Sequence, residues 1–249
     1  MKKQKICIIG GGLTGLATAA VLSDLDVSVD LVGGKMNPNL FSNRTLAISE
    51  NNLDFINITK NKFWPCSKME LFSQKKENQF LKLFNLEKKE KKVFFMIENS
   101  RLIKSLIKKI NEKKNISLIK NENISQIRSL GALKTINFKS HSSKYNLVIL
   151  CVGTNSNLVK NIFSDSSIKS SYKEVSITTI INHNSLKNDT ARQIFLNDGI
   201  IALLPISNSK SSVVWSTNNN IRKKSDLFLK KKIKFYSKSF YKNIKLKNK

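Results

Sequence analysis

KICIIGGGLTGLATAAVLSD, residues 5–24, is the stretch from which the rest of the chain is read. Lys5–Ile9 is a short apolar run, suited to a strand buried on both faces. Leu13–Ser23 is rich in Ala and Leu and predicts a helix, and Val27–Val32 predicts a second strand. Strand, glycine turn, helix and strand make a βαβ unit, which implies a parallel sheet. Between the first strand and the helix stands Gly10-x-Gly12-x-x-Gly15. That spacing is weak evidence alone and acquires meaning from this context. Gly10 permits the tight turn, Gly12 lets the backbone approach a pyrophosphate, and Gly15 lets the helix lie close to the strand. The helix N-terminus offers unpaired N–H groups and partial positive charge to phosphates. A carboxylate is expected at the end of the second strand for the ribose hydroxyls. The residues there are Gly33, Gly34 and Lys35, and Asp30 lies inside the strand. Either ribose binding is weaker here or another group replaces the carboxylate.

The 249-residue chain carries a net charge of +27, from 44 Lys and Arg against 17 Asp and Glu. Only Arg44, Arg101, Arg128, Arg192 and Arg222 are Arg, and the Lys is spread along the whole length. Nucleic-acid readers favour the planar fork of Arg, so no nucleic-acid partner is expected. The even spread suits a compositional bias in which Lys fills solvated positions, and an anionic membrane surface remains a reasonable partner for so basic a chain. Cys7, Cys66 and Cys151 are far apart, and the histidines are His141 and His183. No metal site or disulfide framework follows from that, and the pattern fits a reducing, cytoplasmic setting. The N-terminus imitates a signal peptide, but the glycines inside its apolar run fit that reading poorly. No stretch reaches the ~18 apolar residues of a membrane span.

Further along, Arg44–Ile58 predicts a helix, Met69–Phe84 a strand pair and Asn85–Lys92 a charged turn. Arg101–Lys113 predicts an amphipathic helix, with Leu102, Ile103, Leu106, Ile107 and Ile110 on one stripe. Short strands follow at Ile116–Ile119, Ile124–Ser129, Leu133–Lys139 and Tyr145–Leu150. Val175–Ile181, Ile200–Leu204 and Ser212–Thr217 suit an antiparallel sheet. From Lys223 onward, Leu229, Ile233, Tyr236, Phe240 and Ile244 recur at helical spacing among lysines. That pattern suits an interfacial helix on anionic lipid, or one that docks on a further segment.

Three separated segments then resemble one family. RTLAISENNLDFINITKNKFWP, residues 44–65, is similar to the "R-x-x-A-L-S … L … W-P" stretch of the class A flavin monooxygenases, within them the FAD-dependent aromatic hydroxylases of ubiquinone biosynthesis (UbiH/UbiF-like). MIENSRLIKSLIKKI, residues 96–110, resembles their "ENR-x-L…L" helix, with Ser100 where the flavin-contacting Arg is usual and Arg101 one place later. FLNDGIIALLPISNSKSSVVW, residues 195–215, resembles their "F-x-x-x-G-P-x-A-L-L-P-L … S-x-V-W" segment. The segments come in the family's order. In place of its "G-A-D-G-x-x-S" motif stands Leu150-Cys151-Val152-Gly153-Thr154-Asn155-Ser156, with Val152 in the Asp position. Its later "G-D-A-A-H … P … G-Q-G" motif is absent, which gives the expectation of a truncated member.

The resemblance implies an α/β, Rossmann-like FAD/NAD(P)-binding fold with a parallel sheet, plus an antiparallel substrate-domain sheet. The FAD-binding domain is expected at residues 1–60 and 93–165, the substrate sheet at 61–92 and 166–220, and a basic amphipathic helix at 221–249. The implied cofactor-binding residues are Gly10, Gly12, Gly15, Arg44, Arg101 and Gly153. No catalytic side chain is singled out, because the flavin carries the hard step. The implied reaction is NAD(P)H-driven and O2-dependent hydroxylation of a polyprenylated phenol, met at the inner face of the membrane alongside other ubiquinone-biosynthesis proteins. Two other expectations stand beside it: a catalytically incomplete or split FAD-binding protein, and a flavin oxidoreductase acting on a non-aromatic substrate.

Overall fold

The computed structural model describes residues 3–33, 44–77, 79–88, 91–120, 122, 124–153, 156–158, 160, 170, 172–222 and 224–246. Along the chain run β1 (Gln4–Ile9), α1 (Leu13–Leu22), β2 (Val27–Gly33), β3 (Thr45–Ile48), α2 (Glu50–Phe55), β4 (Trp64–Cys66), β5 (Lys68–Lys76), β6 (Gln79–Glu87), β7 (Phe94–Glu98) and α3 (Asn99–Asn111). Then come β8 (Ile116–Lys120), β9 (Ile124–Leu130), β10 (Leu133–Phe138), β11 (Ser142–Tyr145), β12 (Leu147–Leu150), β13 (Glu174–Asn182), β14 (Thr190–Leu196), β15 (Gly199–Ser207), β16 (Lys210–Asn218), α4 (Asp226–Ser237) and β17 (Lys245–Leu246). They form two compact units: Met1–Leu40, Asp54–Ile58 and Ser100–Ile168; and Phe41–Leu53, Thr59–Asn99 and Lys169–Lys249.

The first unit is built on a four-stranded parallel sheet in the order β12-β1-β2-β8. Ile6, Cys7, Ile8 and Ile9 are all buried, so β1 is covered on both faces, as its unbroken apolar run predicts. The helix α1 packs on β1 and β2, and its Leu16, Ala19 and Ala20 are buried. In α3 the predicted stripe is inward: Leu102, Ile103, Leu106 and Ile110 are buried. The other face is covered by the antiparallel meander β9–β10–β11, whose Ile136, Phe138 and Tyr145 pack with Cys7, Ile9 and Val32. The predicted strand Tyr145–Leu150 is two strands: β11 ends at Tyr145 in the meander, and β12 begins at Leu147 in the parallel sheet. Within this core Asp30 accepts from Tyr145 Oη at 2.9 Å and pairs with Lys5 Nζ at 2.9 Å. Burial, with Asp30 beside it, pushes the Cys7 thiol up to about 12, so it stays protonated and inert.

The second unit contains a seven-stranded sheet in the order β17-β13-β16-β15-β14-β5-β6. The antiparallel strands expected here are present, with one exception: β14 and β5 run parallel, which joins the β5–β6 hairpin to the same sheet. A second, three-stranded sheet has the order β3-β7-β4. The helix predicted over Arg44–Ile58 is corrected. Thr45–Ile48 is a strand that pairs antiparallel with β7, and only Glu50–Phe55 is helical. The tertiary pairing with β7 overrides the helical reading of that segment.

The C-terminal segment is corrected as well. Ser225 caps α4 by accepting from Phe228 N, and Asp226 follows in the first turn. The helix stops at Ser237, so Phe240 and Ile244 lie beyond it. Ile233, Tyr236 and Tyr241 are buried with Ile181, Ile201, Val213 and Trp215 of the large sheet, and Leu246 of β17 pairs with Ile181. The apolar stripe read as an interfacial face is thus the cover of the sheet. No helix among the described residues is long and apolar enough to cross a membrane.

Tyr241, beyond α4, takes part in a buried polar cluster. Ser211 Oγ donates to Tyr241 Oη at 3.0 Å, and Asn188 Nδ2 donates to Ser211 Oγ at 3.0 Å. His183 Nε2 lies 3.1 Å from the same Ser211 Oγ, and its ring stacks on Tyr241 at 4.1 Å. Burial holds the His183 imidazole below its ordinary value.

Two outcomes are expected. Ile233→Ala, which opens a hole between α4 and the sheet, lowers stability by about 2–5 kcal/mol in urea unfolding. For His183 the folded form is the poorer proton binder. Its contribution is fully present above the unfolded value of about 6.5 and is lost as pH falls through the lower folded value. Urea midpoints between pH 7.5 and 5 should therefore fall less in His183→Gln than in the parent, and equal slopes would refute this.

Candidate dinucleotide site

The glycine turn lies at the carboxyl end of β1, beside the carboxyl end of β12. In chain order the parallel strands read third, second, first, fourth across the sheet, from β8 to β12. The order therefore reverses between β1 and β12, and such a switch point opens the crevice where dinucleotides bind in open parallel sheets. Gly10 N donates to Val32 O at 2.7 Å, and Cys151 N donates to Ile9 O at 2.7 Å, so the turn is sewn to both neighbours of β1.

The three glycines of the motif have different duties here. Gly10 has φ +126, and a Cβ there would run into the carbonyl of Cys151. A Cβ on Gly15 would overlap the carbonyl oxygen of Gly10. Both positions are closed by the protein's own backbone. A Cβ on Gly12 would meet nothing within 4 Å. Gly12 has extended backbone (φ −79, ψ −177) and caps α1 without any side-chain hydrogen bond. The first intrahelical bond is Leu16 N to Gly12 O at 3.0 Å, so the N–H groups of Leu13, Thr14 and Gly15 precede the helical ladder. Exposed Gly12 and Thr14 thus border an open seat of N–H donors at the positive end of α1. Such donors could hold a pyrophosphate, and packing gives no reason for the missing side chain of Gly12.

Gly153 lies just beyond β12, exposed, at φ +73, a conformation that favours glycine. It follows the strand next to the glycine turn, so Gly10, Gly12, Gly15 and Gly153 all lie at the carboxyl ends of β1 and β12. Arg101 is exposed in the first turn of α3, opposite the buried stripe. Arg44 belongs to the second unit, immediately before β3, where its carbonyl accepts from Asn99 N at 2.9 Å. The next residue is anchored too, since Thr45 Oγ1 donates to Ser212 Oγ at 2.9 Å.

Val152 is half-buried and packs against the Ile136 and Phe138 cluster, so it offers no polar group at the position that the resemblance gives to Asp. Asp30 is held by Lys5 and Tyr145 on the meander face and does not replace a carboxylate at Gly33. Sequence reasoning passed over Cys151, whose backbone closes on Gly10. The signal was its place at the end of an apolar strand directly before Val152-Gly153.

No family model matches the chain. It is 29% identical over 237 residues to the ubiquinone biosynthesis monooxygenase COQ6, mitochondrial, of Caenorhabditis elegans, covering 85% of this chain and 51% of that protein. It is 26% identical over 241 residues to the protein of the same name from Drosophila melanogaster, covering 86% and 49%. The chain thus spans about half the length of these curated relatives. Among solved structures it shares its fold with 2,6-dihydroxypyridine-3-hydroxylase from Arthrobacter nicotinovorans, at TM-score 0.67 and 15% identity over 87% of this chain and 57% of that one. It also shares the fold of the halogenase PltM, solved with phloroglucinol and FAD, at TM-score 0.66 and 13% identity over 99% and 59%. The resemblance drawn from the motifs is therefore sustained by relatives that match most of this chain.

The glycine geometry separates two variants. Gly15→Ala should lower stability by about 3 kcal/mol, because backbone must move to admit the methyl group. Gly12→Val should melt within a few degrees of the parent and yet lose binding of adenine dinucleotides. Thermal melts and fluorescence titration with FAD read both, and a folded Gly12→Val protein that keeps its FAD affinity would contradict the seat.

Proposed function

We propose that the chain acts as an FAD-dependent monooxygenase that hydroxylates the aromatic ring of a polyprenylated phenol in ubiquinone biosynthesis. The observation that carries this reading is the glycine seat at the β1–β12 switch point, in a chain whose curated relatives are both ubiquinone biosynthesis monooxygenases. Gly10, Gly12, Gly15 and Gly153 would form the pyrophosphate seat, with Arg44 and Arg101 as further cofactor contacts. Bound FAD would supply electron transfer from NAD(P)H and reaction with O2. The overall balance is ring C–H, O2, NAD(P)H and a proton giving ring C–OH, water and NAD(P)+.

The chain's own part is to bind, orient and exclude water. The α1 N-terminus neutralises phosphate charge. In the second unit, Ala202 and Val214 are cross-strand partners on the sheet face opposite Trp215 and Ile201, and both are half-buried. With Leu204 on the same face, they offer a flat apolar bed for an aromatic ring. A prenylated substrate resides in lipid, and the charge of +27 favours approach to an anionic inner membrane face. The apolar stripe of α4 takes no part in that approach, because it is spent on the sheet.

A second reading, a dinucleotide-binding protein that does not complete the reaction, is favoured by the apolar, half-buried Val152 and by the strand end at Gly33, which carries no carboxylate. One preparation tests both. The purified chain is examined for bound flavin by visible absorption, then for NAD(P)H oxidation and O2 uptake with a prenylated phenol. Hydroxylated product in proportion to NAD(P)H consumed supports the monooxygenase. Bound flavin that yields only hydrogen peroxide supports the second reading. A folded chain that takes up no flavin would defeat both.

A further inference from the structure

The two sides of α4 have different duties. Leu229, Ile233 and Tyr236 pack with the large sheet, and that side is closed. At about 100° per residue, Leu227, Lys231, Lys234 and Lys238 fall within an arc of about 60° on the opposite side. All four are exposed, Leu227 by 63%. Asp226 is the one carboxylate of the helix, and it stands about 100° from Leu227, off this stripe. Lys242 and Lys245, beyond the helix, are exposed as well. Residues 224–246 hold eight Lys and one Asp, a net charge of +7 over 23 residues, whereas the whole chain holds +27 over 249. Positive charge is therefore about threefold denser here than along the chain.

Solubility alone does not account for that stripe. Lys234 has Lys231 three positions before it and Lys238 four after it, and like charges at those spacings weaken a helix. An anionic surface laid along the stripe removes the repulsion. We propose that this outer side of α4 is the surface that seats on an anionic bilayer, with Lys231, Lys234 and Lys238 among the headgroups and Leu227 as a shallow apolar contact. The proposal rests on the membrane approach included in the function proposed above and is independent of its flavin chemistry. A second copy of the chain is repelled by the same charge. Residues 224–246 contain no Arg, so the planar fork that reads a fixed phosphate or carboxylate geometry is missing from the stripe. Lysines act as point charges, which suits a fluid layer of headgroups with no fixed geometry. The apolar side of the helix stays on the sheet, so docking requires no unfolding of the cover.

The test must separate this face from the general attraction of so basic a chain for any anion. The full chain is sedimented with phosphatidylcholine vesicles and with vesicles in which about one lipid in three is phosphatidylglycerol. The parent should pellet with the anionic vesicles only, and should be released near 1 M salt, where the screening length falls to about 3 Å. The triple variant Lys231→Gln, Lys234→Gln, Lys238→Gln should bind about a hundredfold more weakly, at about fivefold per lysine. A control with the same loss of charge, Lys104→Gln, Lys114→Gln, Lys139→Gln in exposed positions of the first unit, should stay within about threefold of the parent. Replacing the three α4 lysines by Arg should preserve binding. In Leu227→Trp the added indole emission should shift to the blue on anionic vesicles.

Equal weakening in the two Gln triples would show that charge acts through the whole molecule and would overturn the proposal. So would failure of the parent to pellet, loss of binding in the folded Arg variant, or an unshifted emission in Leu227→Trp. Release by inorganic phosphate at far lower ionic strength than by chloride would show a phosphate site instead. Tighter binding of the parent to soluble polyglutamate than to the vesicles would give the face to an acidic protein, and the membrane proposal would fall. Because none of these readouts involves flavin, each failure leaves the dinucleotide seat to be judged by its own titrations.

Discussion

Where β1 hands over to α1, three backbone segments meet with no room for a side chain. Gly15 lies against the carbonyl of Gly10, and Gly10 lies against the carbonyl of Cys151 at the end of β12. That contact sets how closely the first helix approaches the sheet and brings β12 to the same edge as the glycine turn. The hydrogen bonds from Gly10 to Val32 and from Cys151 to Ile9 then hold the three strand ends together. The open seat at Gly12 follows from this packing. A helix N-terminus is available to a ligand only because the residues on either side of it are fully engaged by their own backbone.

Polar groups complete both units in the same manner, as hubs that join segments far apart in sequence. Asp30 joins β2 to Lys5 of β1 and Tyr145 of β11, and so ties the meander to the parallel sheet. Asn188 reaches Ser207 O and Ser211 Oγ through its side chain, and its carbonyl accepts from Trp64 Nε1 at 2.6 Å. Tyr241 then ties the chain beyond α4 to Ser211. Each hub is buried, so loss of one partner strands another polar group, and its cost exceeds that of a single exposed hydrogen bond.

The parts of this structure that were legible in the sequence are those whose cause is local. A run such as Lys5–Ile9, the glycine spacing and the stripe of Leu102, Leu106 and Ile110 each specify an element through neighbours a few residues away. The parts that were not legible depend on distant pairing. Thr45–Ile48 is a strand because β7, some fifty residues later, pairs with it. The recurrence of Phe240 and Ile244 at helical spacing comes from a chain that leaves its helix at Ser237 and lies back along the same apolar surface. That surface consists of strands the tail meets only in three dimensions, so the spacing could not distinguish sheet from lipid. For the site, the glycines were readable because backbone geometry restricts those positions. The surroundings of Val152 were not, since only the meander brings Ile136 and Phe138 against it.

The two departures at the crevice bear on different properties of a bound dinucleotide. A pyrophosphate on one helix N-terminus gains roughly 1–2 kcal/mol from the dipole, while micromolar binding requires about 8 kcal/mol. Most of the affinity therefore comes from enclosing the rest of the ligand. Val152 is half-buried against the Ile136 and Phe138 cluster, so the polar contact that the resemblance implies at that position has no counterpart there. The strand end at Gly33 supplies no carboxylate for a ribose hydroxyl. The fold can accept such changes because neither position supports the contacts at Gly10 and Gly15. A turn built on backbone packing keeps its shape whichever side chains stand around it.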